Sequence, residues 1–136
     1  TYGDGLSDIN LRKLLEVHKS GNYSLTITGV SALGRFGEME YEGTKITKFS
    51  EKTFDKRRRI NGGFMCADKS FIENYLSAND FNMMLENRPL QLCAQDGRLG
   101  TYLHDGYWQC MDNPRDYELL CKHATSIKPP WILKCD

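Results

Sequence analysis

Apolar positions change their spacing several times along the chain, and each change marks an element. Ile9, Leu11, Leu14, Leu15 and His18 fall on one side of a 3.6-residue repeat. Ser7 or Asp8 offers an N-cap ahead of them and Gly21-Asn22 a stop, so the spacing predicts a helix here. Residues 23–28 alternate and are rich in β-branched side chains, which predicts a strand. The chain's first residues read as the end of another strand, and strand, helix, strand at this spacing predicts a βαβ unit with parallel pairing. Residues 38–41 and 45–49 flank Glu42-Gly43 as a hairpin.

The pattern then breaks over residues 50–59, which are polar and irregular. Residues 60–67 predict a buried strand interrupted by Gly62-Gly63, and glycines inside a strand mark the close approach of a ligand or another backbone. Asp68 is placed to cap a short helix reaching Leu76. A second helix spans about 84–96 and ends at Gly97, with Pro89 either kinking it or marking its first turn. Residues 98–104 form a strand, 108–112 an apolar strand ending in Asp112, and 114–124 a helix opened by Pro114. Residues 126–136, with Pro129-Pro130-Trp131, read as an irregular tail behind one domain over 1–125.

Eighteen basic and eighteen acidic residues cancel, so no field of one sign is present to attract nucleic acid or a membrane surface. Five cysteines, odd in number, widely spaced and several inside apolar runs, argue for a reducing compartment and against a disulfide framework or structural zinc. His18, His104 and His123 match no metal-ligand spacing. No apolar run approaches membrane-spanning length and the start has no signal pattern, so a cytoplasmic domain is the expectation. The absence of an initiator Met before what reads as a strand end suggests a fragment.

Candidate chemistry centres on Asp4, a carboxylate between Gly3 and Gly5 just ahead of a helical pattern. Glycines there let a backbone approach a ligand's phosphates, but an acid repels phosphate unless a cation bridges the two. A solvated aspartate in an ordinary turn is the alternative. Asp112 strengthens the bridged reading, because it too is expected at a strand exit and helix entry, the edge where open α/β sheets bind ligands. Glu51-Lys52 is either surface decoration or an ammonium for an anionic substrate beside a carboxylate for hydroxyls. Arg57-Arg58-Arg59 is either a solvated loop or a phosphate contact.

Taken in order, Tyr2-Gly3-Asp4-Gly5, Gly34-Arg35-Phe36-Gly37, Ser50-Glu51-Lys52, Ile60-Asn61-Gly62-Gly63-Phe64 and Trp108-Gln109-Cys110-Met111-Asp112 resemble the sugar-1-phosphate nucleotidyltransferases, essentially from end to end of the chain. The Gly-Asp-Gly and Trp-Gln-x-Met-Asp forms resemble the cytidylyl branch. The resemblance implies a Rossmann-like mixed, mainly parallel sheet with flanking helices, carrying the metal- and sugar-binding part of the domain over 1–125. It implies transfer of a cytidylyl group from CTP to a sugar-1-phosphate, with glucose-1-phosphate the implied sugar, and a homo-oligomer at full length. By the same resemblance Asp4 and Asp112 hold Mg²⁺, Lys52 serves the sugar phosphate and completes the catalytic set, and Glu51 takes sugar hydroxyls. Gly3, Gly37, Asn61 and Gly62 would lie against nucleotide or sugar.

Three departures accompany it. Thr53 stands where the family has Pro, and Cys110 and Asn113-Pro114 replace Pro and Thr-Leu around the second acid. The family's N-terminal glycine-rich loop is absent from these residues, so the expectation is the C-terminal portion of such an enzyme, inactive by itself. A non-catalytic sugar-phosphate-binding or assembly remnant is the alternative.

Overall fold

The molecule is assembled on one strand, residues 25–31. The computed structural model describes residues 2–31, 38–50, 59–76 and 82–132. Its elements run β1 (Gly5–Ser7), α1 (Leu11–Ser20), β2 (Leu25–Ser31), β3 (Glu38–Glu42), β4 (Lys45–Ser50), β5 (Arg59–Ala67), α2 (Lys69–Tyr75), α3 (Arg88–Gln95), β6 (Leu99–His104), β7 (Trp108–Cys110) and α4 (Pro114–Ala124). β2 lies between β5, which pairs with it antiparallel, and β6, which pairs with it parallel. β1 and β7 make a separate antiparallel ribbon, and β3 and β4 a hairpin.

Alternation along β2 sends Leu25 and Thr26 to opposite faces, and both are buried. Leu25 packs with Phe71 of α2 and Cys93 of α3, joined by Ile27, Met65, Leu90 and Leu99. On the other face Thr26 Oγ1 lies 2.9 Å from Nδ1 of His18, a buried residue of α1. Helices therefore cover both faces of a mixed sheet, as expected. The balance of pairings differs: among the described residues only β2 and β6 run parallel. A parallel partner needs a crossover, which α2 and α3 supply on the way to β6; between β2 and β5 the described chain is only a hairpin, and β5 returns antiparallel.

The anticipated βαβ unit at the start is also corrected, because β1 pairs with β7 and not with β2. Asn10 caps α1, its Oδ1 accepting from Lys13 N at 3.0 Å. Neither Ser7 nor Asp8 is the cap, since both are engaged with His104: Ser7 Oγ lies 3.2 Å and Asp8 Oδ1 3.0 Å from its Nε2. Asp68 does precede α2, but its carboxylate sits 3.2 Å from His18 Nε2 and makes no cap hydrogen bond. Pro89 falls in the first turn of α3, which resolves its two readings. The hairpin turns through Gly43 at φ +58°. α4 spans residues 114–124 as its Pro114 start predicts. Beyond it, the Trp131 ring lies 5.9 Å from that of Tyr107.

The expectation of buried thiols holds for Cys93, while Cys66 and Cys110 are half-buried and Cys121 is exposed. Burial pushes the Cys93 and Cys66 thiols up from their ordinary range.

Candidate active site at the end of the central strand

A cleft of about 770 Å³ opens beside Ser31, the last residue of β2. Its walls come from the turn before β1, the start of β5, all of β7 and the first turn of α4. The β1–β7 ribbon and the turn before it are anchored to β5 by three hydrogen bonds: Tyr2 N donates to Gly63 O at 3.3 Å, Trp108 Nε1 to Gly62 O at 2.8 Å and Asn61 Nδ2 to Tyr2 Oη at 3.3 Å. On its other side Gly62 lets β5 lie close against β2, because a Cβ there would come within 2.7 Å of Val30 Cγ1 and 3.3 Å of Thr28 O.

Asp4 and Asp112 both line the cleft. The reason differs from the expected one. Among the described residues no strand runs into Asp4, which lies in the turn before β1, whereas Asp112 lies just past the end of β7. Antiparallel register sets Gly5 opposite Cys110, so the start of one strand meets the end of the other, and Met111 N donates to Asp4 O at 2.9 Å. Asn61 and Gly62 also line the cleft, with Asn61 Oδ1 accepting from Gly63 N at 3.0 Å. Gly3 adjoins Asp4, and a Cβ on it would meet nothing within 4 Å among the described residues. Lys52, Glu51 and Gly37 fall outside the described residues, as do Arg57 and Arg58. Arg59 is committed elsewhere: its guanidinium donates to His104 O at 3.0 Å and pairs with Asp105 at 2.6 Å.

One acid escaped the sequence reading. Asp116, buried at the start of α4, accepts from Asn113 Nδ2 at 2.8 Å and from Asp112 N at 3.2 Å. Asn113 Oδ1 in turn accepts from Asp116 N at 3.0 Å, a reciprocal cap that fixes the turn carrying Asp112. The signal available was the N-x-x-D spacing across Pro114, which marks a helix start. Ligand atoms of Cys110, Asp112 and Asp116 lie within 4.8 Å of one another, and Cys110 Sγ donates to Asp112 Oδ2 at 3.1 Å. Carboxylate oxygens converging on an open cleft suit a hard divalent cation, which takes one or two protein carboxylates and leaves its other positions to phosphate or water.

No protein-family model matches the chain. It is 35% identical over 131 residues to the glucose-1-phosphate cytidylyltransferase of Salmonella typhi, covering 96% of this chain and 50% of that protein. It is 32% identical over 124 residues to the D-glycero-alpha-D-manno-heptose 1-phosphate guanylyltransferase of Aneurinibacillus thermoaerophilus, covering 85% of this chain and 50% of that one. Among solved structures, a Bacillus anthracis protein in complex with a sucrose, described as a glucose-1-phosphate thymidylyltransferase, superposes with a TM-score of 0.64 over 93% of this chain and 53% of its own, at 15% identity. The fold is thus that of a sugar-phosphate nucleotidyltransferase, and the chain is a homologue of the sugar-1-phosphate nucleotidyltransferases. Within that class it is similar to glucose-1-phosphate cytidylyltransferase, in Salmonella typhimurium as well as in Salmonella typhi. It spans about half the length of the curated relatives it matches. No helix among the described residues is long and apolar enough to cross a membrane.

Proposed function

We propose that this chain supplies the metal- and sugar-phosphate-binding side of a cytidylyltransferase site, which transfers a cytidylyl group from CTP to glucose-1-phosphate. A phosphate oxygen of the sugar phosphate attacks the α-phosphorus of CTP. The bond from that phosphorus to the β-phosphate bridging oxygen breaks, and CDP-glucose and pyrophosphate leave. The observation that carries the reading is that Asp4 and Asp112 line one cleft together with Asn61 and Gly62, in a homologue of enzymes of this activity.

Asp4 and Asp112 are the residues that would hold Mg²⁺, with Asp116 fixing the turn behind Asp112. A cation bound there would offset phosphate charge, the main requirement of a transfer that rests on positioning and neutralisation. The chain's own part is to orient. The ribbon register sets the two acids on one cleft, and Gly62 lets β5 lie close on β2 beside them. Lys52 is assigned to the sugar phosphate and Glu51 to sugar hydroxyls, following their position in the Ser50-Glu51-Lys52 motif.

The test is pyrophosphate release by the full-length protein, with glucose-1-phosphate and Mg²⁺ and with CTP, GTP or dTTP as donor. Release with CTP, lost by orders of magnitude in Asp4→Asn, is expected. Preference for GTP would move the assignment to the guanylyl relatives.

A further inference from the structure

Among the described residues lining the cleft, Arg115 is the one basic side chain, set against the carboxylates of Asp4, Asp112 and Asp116. It is the second residue of α4, so the Asn113–Asp116 cap holds its backbone in place. Each of the other side-chain nitrogen donors of the wall already makes one hydrogen bond within the protein. Trp108 Nε1 donates to Gly62 O, Gln109 Nε2 to Cys110 O, Asn113 Nδ2 to Asp116 and Asn61 Nδ2 to Tyr2 Oη. The guanidinium is exposed, and no hydrogen bond or ion pair ties it to another described residue.

An acid-rich cleft repels a phosphate until a dication offsets the carboxylates. A phosphate monoester dianion can then take a further cationic partner besides Lys52, and a guanidinium offers it two parallel N–H donors matched to two phosphate oxygens. We infer that Arg115 is the phosphate-orienting residue of this cleft, binding a phosphoryl group of the substrate through its guanidinium fork. The inference rests on the reading of the cleft as a phosphoryl-transfer site. The phosphoryl group belongs to the sugar phosphate or to the nucleotide, and the titration below separates them.

The two tryptophans make the test direct, since Trp108 lines the cleft and Trp131 packs away from it on Tyr107. In a Trp131→Phe background, the emission of Trp108 is followed as glucose-1-phosphate, CTP or inorganic pyrophosphate is added with Mg²⁺. Arg115→Ala should raise Kd on the order of tenfold or more, as expected for loss of a hydrogen bond to a charged group. Arg115→Lys should recover only part of it, and the melting temperature should not move. A loss confined to glucose-1-phosphate identifies the sugar phosphate as the partner; a loss shared by CTP and pyrophosphate identifies the nucleotide. Unchanged affinity in Arg115→Ala, full recovery in Arg115→Lys, or no phosphate binding by the parent would each overturn the inference. Binding through Arg115 without pyrophosphate release from CTP would leave it standing and remove the cytidylyl assignment instead.

Discussion

The apolar cluster behind the central sheet and the ribbon at its end are built in opposite ways. Leu25, Phe71 and Cys93 are each no more than 3% exposed, and three elements contribute to that cluster. The ribbon has three residues in each strand, leaves Leu6 and Met111 exposed, and joins β5 by the hydrogen bonds of Tyr2 N and Trp108 Nε1. Burial of apolar surface is the main source of folding free energy. The first region therefore carries stability, while the second can gather several carboxylates on one cleft because it carries little of it.

Three substitutions test that division, ordered by their expected effect on unfolding free energy. Phe71→Ala should cost ~3–5 kcal/mol by opening a cavity behind β2, measured by urea titration. A loss below about 1 kcal/mol would show that this cluster is not where stability resides. Gly62→Ala acts between the two regions, since Gly62 lines the cleft and the added methyl meets Val30 Cγ1 and Thr28 O on the face of β2 that carries Thr26, opposite the Leu25 cluster. It should cost ~1–3 kcal/mol as Val30 and the strand shift to admit it. If stability is unchanged, the closeness of β5 to β2 does not depend on the missing side chain. Asp112→Asn should change stability by less than about 0.5 kcal/mol. Its Mn²⁺ affinity, followed by electron paramagnetic resonance, should fall about tenfold or more, because a neutral amide replaces an ionic ligand. A large stability loss here would erase the contrast between the two regions.

What the sequence disclosed tracks local signals. The hairpin over residues 38–50 and α4 were legible because Glu42-Gly43 and Asn113-Pro114 carry their own turn and cap chemistry. The apolar stripe of α1 was legible in period but not in outcome. Leu14 and His18 face the sheet, whereas Leu11 is 58% exposed, because the face that packs is chosen by the sheet and not by the helix. The pairing of β1 was misread because strand partners are long-range, and nothing near Asp4 records that residues 108–110 lie beside it. Asp4 and Asp112 were singled out by motif, yet their place on one cleft depends on that same unread pairing. Asp116 and Arg115 were missed because both lie inside a segment that already read as a sufficient helix start.

The β1–β7 register has a consequence for how such a chain can vary. The side chains of Leu6 and Gln109 can be exchanged while Asp4 and Asp112 keep their places, since the acids are spaced by backbone pairing. The number of residues in each strand has no such latitude. One residue added between Gly5 and Ser7 would advance the strand by ~3.4 Å and turn its side chains to the opposite face. Homologous chains should therefore diverge freely in the composition of these two segments and hold their lengths fixed, so that an alignment gap inside either one identifies a copy that has lost the paired acids.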